Sequence, residues 1–339
     1  MEKPTIFLTG ATGLLGSHLL VELVKSKKNI MVLVRDEVKA KQTILAVFSW
    51  YGLTEQDLKS YVFFVKGDIT DVDLIDNCLQ NMDIVFHCAG KISLFDEDKW
   101  DMLKINGEGT ANIVNCCLSN SVKQLLYVSS ISTVNKGFGG EINEELFTKE
   151  DTFLSAYAIS KRAGENEVWR GIEEGLQAVI INPTIIIGPD EKQTGSIALF
   201  YKVRNGMRYI TKGVAGFVDV RDVVNISIQL IENKIVGQRF IVSAENLSFE
   251  NFVNKIALAL HIKTKFKIAP FWLLKMVVLI NSLLKVITGK KYLPNSALLK
   301  MVGNKGYYSN EKIKAALNYK FYAINEAIEN TTSKLKLKV

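Results

Sequence analysis

A doubly wound α/β fold, with a parallel sheet and a smaller, mainly helical C-terminal part, is predicted by three observations. Short apolar runs alternate with amphipathic helical patterns for about 240 residues. The runs are continuous rather than alternating, as befits strands covered on both faces. A glycine-rich turn, Thr9-Gly10-Ala11-Thr12-Gly13-Leu14-Leu15-Gly16, stands between the first run and the first helix.

The runs Ile6–Leu8, Ile30–Val34, Val62–Val65, Ile84–His87, Leu125–Val128 and Val179–Ile181 read as strands. Between them the spacing predicts helices over 14–26, 37–50, 71–79, 98–119 and 155–174. Ligands in such folds bind outside the carboxyl ends of the strands. From Val242 the pattern changes. Ser243–Leu247 reads as a turn, followed by helices over 248–261, 268–287, 295–302, 310–317 and 324–336. The expected division is 1–242 for a nucleotide-binding domain and 243–339 for a substrate-binding part, with 190–215 contributing to the substrate pocket.

At 48% apolar and 23% charged residues the composition is that of an ordinary globular chain. Met1-Glu2-Lys3-Pro4 runs straight into the first strand, which argues against a signal peptide. The cysteines Cys78, Cys88, Cys116 and Cys117 have no CxxC spacing and suit reduced thiols in a cytoplasmic protein. His18, His87 and His261 lack ligand-like neighbours, so no metal is expected. Charge is uneven: the net +7 splits into +13 over 251–339 and −6 over 1–250. The basic part contains no Arg and no aromatic-interleaved basic motif, which excludes a nucleic-acid partner. Phe271–Ile287 combines a wide apolar face with Lys275 and Lys285. It is too short and too charged to span a bilayer, which takes ~20 apolar residues, and leaves two readings: peripheral membrane contact through 271–291, or packing of the apolar face on the protein's own core.

The turn has the chemistry of a phosphate cradle. Gly10 permits a tight turn, Gly13 lets the backbone approach a pyrophosphate, and Gly16 lets helix pack close on strand. Tyr157 and Lys161 lie four residues apart on one predicted helix and so share a face. A neighbouring ammonium lowers a phenol from its usual value near ~10 toward the working pH. Tyr157 can then give a proton to, or take one from, an alcohol or carbonyl oxygen. Ser130, at the end of the fifth run, can hydrogen-bond the same oxygen. Together with the glycine turn these residues predict a redox active site.

In this order the motifs resemble an extended short-chain dehydrogenase/reductase, closest to the dihydroflavonol reductase and 3β-hydroxysteroid dehydrogenase branch. The pieces are Thr9–Gly16, Gly67-Asp68-Ile69-Thr70-Asp71, His87-Cys88-Ala89-Gly90, Asn106-Gly107-Glu108-Gly109-Thr110 and Tyr127-Val128-Ser129-Ser130. Tyr157…Lys161, Asn182-Pro183-Thr184, Gly188-Pro189 and Phe217 through Val223 complete them, so the resemblance covers most of the chain. It implies a Rossmann fold that holds NAD(P) on Gly10, Thr12, Gly13, Leu14, Leu15 and Gly16. It further implies that Asp68 and Ile69 hold the adenine, that Cys88, Ala89 and Gly90 line the cofactor, and that Asn182, Pro183, Thr184 and Ile185 contact the nicotinamide amide. Lys161 would bond the ribose, and Asn106 would support the hydrogen-bond network around Ser130 and Tyr157.

The second strand ends Val34-Arg35, followed by Lys39 and Lys41. A basic residue there accommodates a 2′-phosphate, which favours NADP, while Asp36 leaves NAD open. The run Asn182 to Pro189 lacks the Arg and Tyr usual in sugar-nucleotide members, and Ile92, Phe95, Phe138 and Phe217 predict an apolar pocket. The substrate class is then an apolar ketone or alcohol. Lys91 stands beside that pocket as a candidate for an anionic group. A sugar-nucleotide epimerase or dehydratase is the alternative enzyme, and a non-catalytic nucleotide-binding regulator the alternative of another class. Helices 98–119 and 155–174 form the dimer bundle in many relatives, while some members of the branch are monomers, so the resemblance leaves both a homodimer and a monomer open.

Overall fold

The computed structural model describes residues 5–134, 140–146, 155–270, 276 and 305–335. The chain opens with β1 (Ile6–Thr9), α1 (Leu14–Lys25), β2 (Ile30–Val34), α2 (Glu37–Ser49) and α3 (Glu55–Tyr61). β3 (Val62–Lys66), α4 (Val72–Leu79) and β4 (Ile84–His87) follow. The next helical stretch runs as α5 (Lys99–Met102), a π-helical turn at Leu103–Glu108, and α6 (Gly109–Ser119). Then come β5 (Gln124–Val128), β6 (Glu141–Ile142), α7 (Ala156–Glu173), β7 (Ala178–Pro183) and β8 (Ile185–Ile187). α8 (Ile197–Arg204), β9 (Tyr209–Ile210), β10 (Val214–Asp219), α9 (Val220–Glu232), β11 (Gln238–Val242) and β12 (Glu245–Ser248) continue the chain. α10 (Phe249–Ala259), β13 (Lys267–Ile268), β14 (Tyr307–Tyr308), α11 (Glu311–Leu317) and α12 (Ile324–Lys334) are the last described elements.

Seven parallel strands form the main sheet in the order β11-β7-β5-β4-β1-β2-β3. The order reverses between β1 and β4, which opens a crevice at their carboxyl ends. Register aligns those ends: Thr9 lies opposite both Leu33 and His87, and His87 lies opposite Tyr127. Each face of the sheet buries its own core. Leu19, Leu20, Val47, Phe48 and Leu230 cover one side, and Ile75, Leu79, Ile113, Val114 and Val168 the other. This is the doubly wound arrangement expected from the continuous apolar strands.

Side-chain caps start many of the helices. Asp36, Asp71, Ser155, Asp219 and Ser248 each accept from a backbone N–H in the first turn of the following helix. α3, absent from the sequence reading, begins on a reciprocal pair between Thr54 and Asp57.

A third core joins three separated stretches: Ile187 to Phe217, Phe252 to Leu260 and Ile324 to Ile328. β8 and β12 flank β10 in its own three-stranded sheet. Meanwhile Ile313, on α11, packs into the core of the main sheet. The chain therefore crosses between the two regions on both sides of residue 242. Ile268, read as the first residue of a helix, instead lies with Lys267 in a short strand that pairs with β9. Apart from Met276, the remainder of 271–291 and the predicted helix 295–302 lie outside the described residues. Among the described residues no helix is long and apolar enough to cross a membrane.

Two buried histidines make stability depend on pH. His18 donates Nδ1 to the Leu14 carbonyl at 2.8 Å and leaves Nε2 buried without a partner. Burial lowers His18 to about 4 and His87 to about 3. An unfolded chain takes up these protons near pH ~6.5 whereas the folded one refuses them, so stability is full above that pH and falls below it. Asp222 acts oppositely, since burial pushes its carboxyl up to about 7 and the folded protein keeps a proton the unfolded chain releases. Two groups against one leave a net loss of about 1.4 kcal/mol per pH unit between roughly pH 6.5 and 5. Urea midpoints should fall across that window, should level in His18→Met, and should fall about twice as steeply in Asp222→Asn. A midpoint independent of pH in the parent protein would contradict the assignment.

Candidate active site

The crevice at the strand reversal is a cavity of about 1030 Å³. Its walls come from the glycine turn (Thr9, Gly10, Thr12, Gly13), the end of β2 (Arg35, Asp36), Asp68 and Ile69 after β3, and Cys88 to Lys91 after β4. Crowding explains two of the glycines. A Cβ on Gly10, where φ is +75°, would stand 2.6 Å from the Ala89 nitrogen, and one on Gly16 would stand 2.2 Å from the Gly10 carbonyl oxygen. Gly13 is different: a Cβ there would meet only the Gly10 oxygen, at an ordinary 3.4 Å. Its bare backbone faces the cavity at the start of α1, where the first-turn N–H groups have no intrahelical acceptor. Such a terminus suits a pyrophosphate, and the residues present fit a dinucleotide.

At the far end of this cavity, Arg35 is exposed and shares the wall with Lys39, Gln42 and Thr43. Asp36, by contrast, spends its carboxylate on capping α2, with Lys39 N at 3.1 Å, and on an ion pair with Lys39 Nζ at 3.4 Å. Asp68 accepts from Thr70 N and Oγ1 at 3.0 and 2.9 Å, a turn that fixes it against the cavity. Ile69 offers backbone rather than side chain, because its side chain packs where a Cβ on Gly109 would sit. Burial pushes the Cys88 thiol up to about 12, so it lines the wall as an inert group. Leu15 is core and Leu14 half-buried, and neither lines the cavity.

Beneath the wall a chain of hydrogen bonds joins β1 to α6. Ala89 N donates to Thr9 Oγ1 (3.1 Å), Thr9 Oγ1 meets His87 Nδ1 (2.7 Å), and His87 Nε2 meets Thr110 Oγ1 (3.0 Å). Thr110 Oγ1 gives its proton to the Asn106 carbonyl at 2.7 Å. It must therefore accept from His87, which fixes the neutral Nε2–H tautomer and leaves Nδ1 to accept from Thr9. Asn106 sits in the π-helical turn and grips the backbone of Lys91 twice: Oδ1 accepts from Lys91 N at 2.7 Å, and Nδ2 donates to Lys91 O at 2.9 Å. The same Nδ2 reaches Ser160 Oγ at 2.9 Å, tying the wall to α7. Single π turns inside α-helices occur often at functional sites.

α7 brings Tyr157 and Lys161 to the carboxyl end of β5. Gly164 lets it approach, since a Cβ there would lie 2.2 Å from the Asn106 carbonyl oxygen. Lys161 is 4% exposed; its Nζ donates to the Val128 carbonyl at 2.7 Å and lies 4.5 Å from the centre of the Tyr127 ring. It also lies 3.8 Å from where a Cβ on Gly90 would be, so it stands directly behind the cavity wall. Burial lowers Lys161 to about 8, with Glu165 and Cys88 pulling the other way. Burial likewise raises the Tyr157 phenol, and a hydrogen bond with Ser130 draws it partly back. The expected lowering of the phenol by Lys161 is thus replaced by a neutral phenol beside a serine hydroxyl. Ser130 itself caps a 3₁₀ turn at Ile131–Thr133.

Several predicted contacts are arranged differently. Asn182 is fully buried and points into the protein, with Nδ2 on Glu165 Oε2 and Thr133 Oγ1, both at 2.9 Å. Thr184 turns its hydroxyl to the Val242 carbonyl, Pro183 ends β7 and Ile185 pairs with Phe217; none of the four lines the cavity. Phe217 is a core residue stacked 4.0 Å from Phe252, not a pocket wall. Lys91 is neutralised by Asp98 at 3.2 Å and Asp101 at 2.9 Å, which leaves no bare cation for an anionic group. Ile92 is exposed and Phe95 half-buried on the segment after β4, and Phe138 lies outside the described residues.

Glu165 escaped the sequence reading. Its carboxylate accepts from Ser129 Oγ (2.5 Å), Thr133 Oγ1 (2.8 Å), Asn182 Nδ2 (2.9 Å) and Arg239 Nη1 (3.3 Å). The signal was available, for Glu165 follows Lys161 by four residues and so shares its helical face. Lys192 was also missed: it lines the cavity and donates to the Thr12 carbonyl at 2.8 Å. Removing the carboxylate in Glu165→Ala should cost about 3–5 kcal/mol in urea unfolding, as breaking a buried pair does. Glu174→Ala, on the exposed end of the same helix and paired with Arg170, should cost no more than about 1 kcal/mol. Equal losses in the two variants would refute the network.

Comparison with known proteins identifies the family. A family of NAD-binding proteins described as male sterility protein matches residues 8–228. The putative dihydroflavonol 4-reductase of Synechocystis is 28% identical over 275 residues, covering 79% of this chain and 76% of that one. Arabidopsis thaliana anthocyanidin reductase is 30% identical over 264 residues, covering 70% and 75%. The fold of gox2253 superposes with a TM-score of 0.78 at 22% identity, over 98% of each chain. UDP-glucose 4-epimerase of Thermotoga maritima does so with 0.73 at 16%, again over 98% of each. The chain belongs to the NAD-binding male sterility family, and with it to the extended short-chain dehydrogenases/reductases.

Proposed function

We propose that the protein is an NADP-preferring reductase of an apolar carbonyl compound, with Tyr157 as proton donor. The observation that carries the reading is a neutral, half-buried phenol beside Ser130, on the helix whose Lys161 stands behind Gly90 of the cavity wall. A nicotinamide cofactor supplies the hydride when bound. Ser130 and Tyr157 hydrogen-bond the substrate oxygen, and Tyr157 transfers its proton there as charge develops. A phenol held above its usual pKa by burial stays protonated and so is available as the donor. Lys161, anchored on Val128 O behind Gly90, is placed to bond a ribose hydroxyl.

The preference for NADP rests on Arg35 and on the occupation of Asp36. An Asp36 carboxylate engaged by Lys39 has less to offer a ribose 2′-hydroxyl, whereas exposed Arg35 and Lys39 can pair with a 2′-phosphate. Reductases of flavonoid type among the relatives support the apolar substrate. The epimerase of Vibrio cholerae, 27% identical over 286 residues, keeps a sugar nucleotide as the competing substrate.

NADPH oxidation with phenanthrenequinone, a dihydroflavonol, a ketosteroid and UDP-glucose tests the reading. Turnover of an apolar carbonyl is expected, falling roughly 10²–10⁴-fold in Tyr157→Phe and severely in Ser130→Ala. Near-normal turnover in Tyr157→Phe would end the mechanism. In calorimetry, Arg35→Ala should weaken NADPH by about 1.5–3 kcal/mol, as loss of a charge-assisted bond does, and NADH far less. Tighter binding of NADH by the parent protein would reverse the cofactor assignment.

A further inference from the structure

A serine hydroxyl has two acceptor positions and a single proton, so what fills the first decides where the second points. Ser130 Oγ accepts from Ser132 Oγ at 3.0 Å and from Ser132 N at 3.2 Å. Both donors belong to one residue, two positions along the 3₁₀ turn that Ser130 caps with extended backbone (φ −157°, ψ 149°). The turn is in turn pinned: the Ser130 carbonyl accepts from Thr133 N at 3.1 Å, and the Thr133 hydroxyl is held by Glu165 at 2.8 Å. Ser130 therefore cannot rotate as a unit, and only its hydroxyl proton retains freedom.

We propose that Ser132 is a positioning residue that fixes the direction of the Ser130 hydroxyl, saturating its acceptor positions so that its one proton is left for the substrate oxygen beside Tyr157. In the reverse arrangement Ser130 would spend its proton on Ser132 and present a lone pair to a developing oxyanion, which is repulsive. Ser132 N fills one acceptor position of Ser130 Oγ whichever way the two hydroxyls are oriented, and donation from Ser132 Oγ fills the other. The inference rests on the reading of Ser130 and Tyr157 given above, and it deepens that reading by adding a residue that need not touch substrate.

The test compares the parent protein, Ser132→Ala, Ser132→Thr and Ser130→Ala with NADPH and phenanthrenequinone, alongside thermal melting and NADPH calorimetry. Ser132→Ala should lower kcat roughly 3- to 10-fold, the worth of one neutral hydrogen bond, with melting temperature and NADPH affinity unchanged. Ser132→Thr, which restores a hydroxyl on the same carbon, should recover most of the loss. A purely structural role would instead move the melting temperature and leave Thr no better than Ala. Unchanged or higher kcat in Ser132→Ala, while Ser130→Ala is inactive, overturns the inference and spares the mechanism. Parent-like kcat in Ser130→Ala overturns the mechanism itself.

Discussion

The buried carboxylate of Glu165 is the constraint on which the geometry of the reacting end depends. It gathers donors from the residues on either side of Ser130, from Asn182 on β7 and from Arg239 on β11, while its own backbone belongs to the helix that carries Tyr157 and Lys161. Arg239 in turn reaches the Glu144 and Leu146 carbonyls, and Glu144 Oε1 accepts from Ile241 N. A charge this deep is tolerable only when saturated with donors. Saturation here draws β5, β7, β11 and α7 to one point. The separation of Ser130 from Tyr157 is therefore set by interactions that neither residue makes.

The dinucleotide end is built on a different principle. There the determining fact is how closely backbones approach at the β1–β4 reversal, where Gly10 and Gly16 leave no room for side chains and Gly13 leaves room for a ligand. The two ends meet at Gly90, with Asn106 gripping the next residue and Lys161 behind it. One end is thus held by hydrogen bonds to a buried charge, the other by steric exclusion.

This difference explains what was legible in the sequence. Patterns that act through local geometry were readable: continuous apolar strands, the glycine turn, and Tyr157 with Lys161 on one helical face. Roles that depend on which way a side chain turns were not. Asn182 and Phe217 lie in motifs that mark a site, yet one joins the Glu165 network and the other the Phe252 stack. Lys91 looked like a lone cation because Asp98 and Asp101, which neutralise it, lie seven and ten residues on, across an irregular segment. The α3 helix was missed because its seven residues bury only Leu58, too little for a periodic pattern. Thr54 and Asp57 would have announced it.

The π turn at Leu103–Glu108 has a consequence for how this stretch of chain tolerates change. A π turn holds one residue more than the α-helix can accommodate, and the surplus is absorbed locally. Deletion of one residue between 103 and 108 would let the helix regularise and leave Thr110 near its present phase, because the surplus is taken up within the turn itself. What would be lost is the widened turn that carries Asn106 to the backbone of Lys91, although Thr110 and His87 kept their places. Insertions and deletions that are harmless in most surface helices would here uncouple the cavity wall from α7. The length of this helix, as much as its composition, is under chemical constraint.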